Sequence, residues 1–348
     1  MIATPISILS SSPSSERLMN SVDGSTGGGK SAGTDLPSSG LRVIARFLLI
    51  RSAIWCKRGL LGCLSHNIGQ LIDESVNPDI LTMSMELFCV SKGSRPPLVL
   101  LHGTGGSWEA WGSVIGLLAP HRRVFAVDLP GFGASPSLPD ETPPAIGTLA
   151  DAVATWMATS GLERPHVAGN SLGGAVALEL VKGDQVASAT ALSPIGFSNR
   201  WEFAYGAASL RATRAGARLT GPIAPLLFGN RLGRTALLWQ AMARPSRMSG
   251  EAAIRGSRAM AAAPAFRATV KAAGEYRYAG PLGDVPVTIG WGTRDRLLFW
   301  RQAKRAQETL PEASFVPLPR CGHVPMSDDP ELIAAVLLEG SETAKGAA

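Results

Sequence analysis

The stretch HVAGNSLGGAVALEL, residues 166–180, decides how this chain is read. A short apolar run of strand character gives way to a longer apolar segment, residues 172–182, that reads as a helix. At the junction, Gly169-Asn170-Ser171-Leu172-Gly173 spells G-x-S-x-G, a pattern that carries meaning only between a buried strand and a helix. The glycines permit a turn too tight for a β-carbon at either place. Such a turn lifts the Ser171 hydroxyl above the carboxyl edge of a sheet, with the positive end of the helix aimed at the same spot.

A serine hydroxyl is a poor nucleophile until a base takes its proton, and the base needs an acid to orient it. Of the five histidines, His323 follows the last expected strand, in RCGHVPMSDDP, so sheet order brings it to the edge that carries Ser171. Asp295, in WGTRDRLL, is expected to end a strand over 285–295 at that edge. His66 falls in the N-terminal extension, His121 in a loop and His166 inside a strand, and His102 reads as structural. Asp128, in DLPGFG, reads as a buried aspartate tying down its turn, and capping of the final helix accounts for at least one of Asp328 and Asp329. Two backbone donors complete the arrangement: Leu172 after the nucleophile, and Thr104 in the glycine-rich turn His102-Gly103-Thr104-Gly105-Gly106.

Outward from this point the pattern alternates. LTMSMELFCV reads as an extended arm, PPLVLLHG (96–103) as a buried strand, and WEAWGSVIGLLA as a helix with Ser107 at its N-cap. RRVFAVDLPG is the next strand, and TLADAVATWMATSG is a helix closing on Gly161. Alternation stops near Pro194, residues 196–284 read as helices, and strands resume with VPVTIGWGTRD and ASFVPLP. A final helix opens on Asp329 and Pro330. This is the signature of an α/β fold, a mostly parallel sheet flanked by helices and split by a helical insertion.

The motifs LHGTGGSWEAW, DLPGFGAS, GNSLGG, WGTRD and CGHVPMSDDPE occur in that order, and from about residue 82 to 340 the chain resembles the capped α/β-hydrolase superfamily. The resemblance implies a core over 81–195 and 285–340 with a helical cap over 196–284. It also implies a Ser171–Asp295–His323 triad, an acyl small-molecule substrate, and neither a metal nor an organic cofactor. Trp108, Phe197 and Trp201 are the expected aromatic walls of the acyl pocket. GNSLGG is also similar to hydrolases that cleave carbon-carbon bonds in meta-cleavage products. Those usually carry proline in the oxyanion turn and tryptophan after the catalytic histidine, where this chain has Gly106 and Val324. Cofactor-free perhydrolase or haloperoxidase chemistry uses the same triad, and some proteins of this fold bind small molecules or assist other enzymes with an idle one. A serine nucleophile argues against haloalkane dehalogenases and epoxide hydrolases, which use aspartate.

Composition bounds the rest. Of the 348 residues 45% are apolar and 17% charged, enough for a substantial core. The net charge of +6 is concentrated: residues 196–283 hold 13 Lys and Arg against 3 acidic residues. No interleaved basic and aromatic pattern points to nucleic acid. Cys56, Cys63, Cys89 and Cys321 form no CxxC pair, which suggests reduced thiols and a cytoplasmic protein. Residues 1–40 are Ser/Gly-rich and expected to be disordered, residues 41–80 read as a helical extension, and 341–348 as a short tail. Met1 to Asn20 lacks the apolar run of a secretory signal. Residues 41–64 allow a weak membrane contact through an amphipathic helix. The sequence does not specify the oligomeric state.

Overall fold

The computed structural model describes residues 86–342 of the chain. The tail expected to be disordered (1–40), the extension expected to be helical (41–80) with its expected membrane contact, residues 81–85 of the expected extended arm, and residues 343–348 of the C-terminal tail lie outside the described residues.

Seven strands form one sheet: β1 (Cys89–Lys92), β2 (Pro97–Leu101), β3 (Arg123–Val127), β4 (His166–Asn170), β5 (Ser188–Leu192), β6 (Val287–Gly292) and β7 (Ser314–Leu318). Their spatial order is β1-β3-β2-β4-β5-β6-β7. Only β1 runs antiparallel, against β3, and every other pairing is parallel. Within the described part of the arm read from LTMSMELFCV, β1 begins only at Cys89. Phe88 still bonds, through its N–H to Ser135 Oγ and its carbonyl to the Asp128 N–H, but not within a strand.

The strands alternate in what they bury. Val99 and Leu101 of β2 join one apolar cluster with α2 (Ile146–Thr159), α3 (Leu172–Lys182) and α9 (Trp300–Thr309). Leu98 and Leu100 join the other, with α1 (Gly112–Leu118) and α11 (Pro330–Gly340). Both faces of the sheet are therefore covered, as parallel sheets require. Between β5 and β6 the chain builds α4 (Arg200–Thr220), α5 (Ala224–Gly229), α6 (Arg231–Leu238), α7 (Gly250–Ala262) and α8 (Phe266–Glu275). α4 opens on a capping box in which Asn199 and Glu202 satisfy each other's backbone N–H.

Two local expectations are corrected. Ser107 occupies the N-cap position, but its side chain caps nothing, and the helix begins as a 3-10 turn over Trp108–Trp111. The Asp128 carboxylate, just past β3, instead holds the start of that turn, accepting from Trp108 N at 2.6 Å and from Ala134 N at 2.8 Å. β6 stops at Gly292, so Asp295 sits three residues beyond the strand, in a turn closed by Asp295 N to Gly292 O. Asp329 does cap α11, after a further single helical turn, α10 (Pro325–Asp328).

Candidate active site

β4 runs directly into Ser171, whose backbone adopts φ 56° and ψ −110° before α3 begins at Leu172. A left-handed φ at a non-glycine residue is strained by about 1–3 kcal/mol and persists only where the surroundings enforce it. Here they do: Ser171 N donates to Leu192 O at 2.9 Å. A β-carbon on Gly169 would lie 2.0 Å from Gly173 O, and one on Gly173 would lie 2.2 Å from Leu101 O. Both glycines are required by close approach, since neither has a positive φ. Gly169→Ala is expected to cost about 3 kcal/mol or more, as overpacking against backbone does, and a urea melt reads it directly.

The Asp295 carboxylate is fully engaged. Oδ1 accepts from Leu297 N at 2.9 Å and Leu298 N at 2.8 Å, and Oδ2 meets His323 Nδ1 at 2.8 Å. An ionised carboxylate only accepts, so Nδ1 carries the proton and Nε2 is left with a lone pair. Both side chains are buried. The loop that carries His323 is anchored twice, by Asn170 Nδ2 to His323 O at 3.0 Å and by Val324 N to Ala241 O at 2.9 Å. Asn170 also donates to Leu192 O, so the residue before the serine links the elbow to the histidine loop. Sequence reasoning missed this role, although Asn170 lies within the motif. Ser171 and His323 line one cavity, and among the described residues the Ser171 hydroxyl has no hydrogen-bond partner. Such links often tighten only when substrate is bound.

Thr104 lines the same cavity as Ser171, and Leu172 is the first residue of α3, directly after Ser171. Among the described residues neither amide donates to a protein acceptor. The Thr104 turn is held by Gly106 N to Gly103 O and by His102, whose Nδ1 meets Gly103 O at 2.8 Å. His102 Nε2 accepts from Leu129 N, which requires a neutral ring, and burial pushes its pKa below the ordinary histidine value. Cys321, two residues before His323, is a free thiol whose pKa burial and the nearby Asp328 and Asp329 push up to about 12. It stays protonated and acts as packing.

The three aromatic residues expected in the substrate pocket do not line it. Trp108 packs against the cluster beneath the sheet with α1 and α11. Phe197 is buried in the other cluster, its ring 6.1 Å from that of Tyr278. Trp201 is exposed, stacked with Phe299 and Arg301. These three rings found burial or stacking elsewhere, and the cavity walls are mostly aliphatic, with Ser209, Thr213 and Gln240 as their polar members. A cavity of about 190 Å³ beside Ser171 is bounded by Leu210, Thr213, Leu237, Leu238, Met260 and Leu297. A narrower recess of about 40 Å³ opens past Thr104 toward Phe203, Ala207 and Val270. Phe203, Ala207, Leu210 and Thr213 recur at helical spacing along α4, a signal that the sequence did contain. Through Leu237, Leu238, Ala241, Gly256 and Met260 the cavity adjoins an apolar groove of about 310 Å³ lined also by Phe228, Met242 and Met248.

Comparison with known proteins agrees with this fold. The family described as Alpha/beta hydrolase family matches the chain over residues 98–336. The chain is similar to a pimeloyl-[acyl-carrier protein] methyl ester esterase of Chromobacterium violaceum, 31% identical over 269 residues that cover 74% of this chain and 99% of that protein. It is also similar to the dihydrolipoyllysine-residue acetyltransferase component of the acetoin cleaving system of Pseudomonas putida, 27% identical over 244 residues. That match covers 70% of this chain and 62% of the relative, so this chain spans less than two thirds of that protein. In space it is similar to the solved structure of a membrane phospholipase A, described as a novel bacterial virulence factor, with a TM-score of 0.56 and 27% identity. The superposition covers 75% of this chain and 88% of that one.

Proposed function

The chain belongs to the Alpha/beta hydrolase family, and from that premise we propose that it is a serine hydrolase acting on a carboxylic ester or related acyl small molecule. The observation that carries the reading is the His323 Nδ1 to Asp295 Oδ2 bond, which leaves Nε2 with a free lone pair on a residue that lines the same cavity as the strained Ser171. Ser171 Oγ attacks the acyl carbonyl while His323 Nε2 takes its proton. The N–H groups of Thr104 and Leu172 stabilise the oxyanion of the tetrahedral intermediate. His323 returns the proton to the leaving alcohol, and the acyl group remains on Ser171. Water, activated by the same imidazole, then releases the acid and restores the serine. Asp295 holds the ring and offsets the charge of the imidazolium throughout. These steps use side chains, backbone and water alone.

α4 to α8 act in this reading as a cap that supplies the aliphatic walls of the acyl site. The name of the Chromobacterium violaceum relative, a methyl ester esterase, supports ester hydrolysis, and the Pseudomonas putida relative is likewise named for acyl chemistry. The test is covalent labelling of the folded chain by a fluorophosphonate probe. Peptide mapping is expected to place the adduct on Ser171. A folded protein that stays unlabelled sinks the hydrolase reading.

A further inference from the structure

The outward side of the helical insertion is apolar where a solvated helix carries mixed charge. On α4 the exposed positions Trp201, Ala204, Ala208, Ala212, Ala215 and Leu219 recur every three or four residues, so they form one stripe along the helix. Beyond the stripe Leu226 and Leu232 are 73% and 83% exposed, and Leu219 itself is 82% exposed. Long aliphatic side chains this exposed, on consecutive elements, mark a surface with an apolar partner.

The charge around the stripe has one sign. From Gln185 to Gly250 the chain holds eight arginines and a single acidic residue, Glu202. Glu202 is buried and paired with Arg301 and Arg305, so it offers nothing to the surface. Along one flank of α4, Arg211, Arg214 and Arg218 line a cleft with Arg267 and Phe266, and no carboxylate enters it. Two of these arginines also serve the end of α7: Arg214 donates to Met260 O and Ala263 O, and Arg218 to Ala261 O. Among the described residues the side chains of Arg211 and Arg267 form no ion pair or hydrogen bond. On the other flank, Ala212, Thr213, Gly216, Ala217 and Thr220 line the apolar groove that adjoins the Ser171 cavity.

We propose that this face of α4 to α6 docks on a bilayer containing anionic phospholipid. The exposed leucines enter the acyl boundary, the arginines meet the phosphates, and the groove receives an acyl chain of that lipid. This last element rests on the hydrolase reading of Ser171, and the docking itself does not. A second copy of the chain fits less well, because a two-fold contact through this face sets arginines against arginines with no acid to answer them. The contact is peripheral, since among the described residues no helix is long and apolar enough to cross a membrane.

The experiment is co-sedimentation of the full chain with phosphatidylcholine vesicles, with and without phosphatidylglycerol. It is paired with turnover of a soluble short-chain p-nitrophenyl ester and with gel filtration. The native chain is expected to sediment with the phosphatidylglycerol vesicles and to be released by salt. The triple variant Leu219→Ser/Leu226→Ser/Leu232→Ser is expected to lose about a hundredfold in vesicle affinity. Its turnover of the soluble ester stays unchanged, because none of the three leucines lines the Ser171 cavity or the groove. Arg211→Glu with Arg218→Glu is expected to remove the preference for phosphatidylglycerol. Native protein that ignores vesicles overturns the proposal, as does a triple variant that binds them as well as the native chain. A native dimer that the triple variant dissolves, without vesicle binding, assigns the face to a second copy. Vesicle binding by a native chain that never turns over the soluble ester leaves the docking standing and counts against the hydrolase reading alone.

Discussion

Ser171→Ala is expected to leave a folded protein whose kcat on p-nitrophenyl butyrate is lower by about a millionfold, the scale on which a triad nucleophile is lost. His323→Ala is expected to cost a similar amount, and the double variant no more than either alone, because the two groups act as a unit. Asp295→Asn is expected to cost about ten-thousandfold, since an amide facing Nδ1 favours the wrong tautomer. A control separates chemistry from structure. Ser171 holds a left-handed φ of 56°, which glycine adopts without penalty. Ser171→Gly is therefore expected to raise stability by about 1–2 kcal/mol while abolishing turnover. Opposite signs in the urea midpoint and in kcat identify a residue kept for reaction at the expense of the fold. Turnover that survives in Ser171→Ala removes Ser171 as the nucleophile whatever the stability does.

What the sequence made legible follows from which interactions are local. The elbow was legible because its residues lie within one five-residue motif, although the close approaches that demand its glycines are only partly local: Gly169 faces Gly173 O, whereas Gly173 faces Leu101 O on the neighbouring strand. Asp295 and His323 were legible because chain order in a parallel sheet places strand ends on one edge, and the 2.8 Å contact between them joins residues that order had brought there. The pocket was misread because its walls depend on how α4 and α7 pack over the sheet. Large aromatic side chains were chosen for their size, whereas Trp108 and Phe197 satisfied that size in the core and Trp201 in a stack with Arg301. The Ser107 cap failed for a related reason. Asp128, 20 residues from Trp108, takes the first amide of that turn instead, and the Ser107 side chain bonds none of the others.

Asp328→Ala is expected to destabilise the protein by about 4 kcal/mol or more, the largest effect among side chains outside the triad. Asp328 is fully buried, and its carboxylate accepts three backbone N–H groups: Ala243 at 2.9 Å, Arg244 at 2.6 Å and Gly322 at 2.7 Å. A hydrogen bond to a charged group contributes about 1.5–3 kcal/mol, and each donor stranded in the interior adds its own desolvation cost. Asparagine rescues it only in part: its oxygen still accepts from Ala243 N and Gly322 N, but its amide nitrogen then faces Arg244 N, donor against donor. The site is affected along with stability. Ala243 and Arg244 lie within the helical insertion, between α6 and α7, and Gly322 precedes His323, so one carboxylate clamps the insertion to the loop that carries the base. In the folded fraction kcat is therefore expected to fall more than KM rises, because misplacing the imidazole weakens the transition state more than substrate binding. A variant with native kcat and a lowered urea midpoint reduces Asp328 to a purely structural clamp. One with a native midpoint contradicts the hydrogen-bond geometry from which the prediction is built.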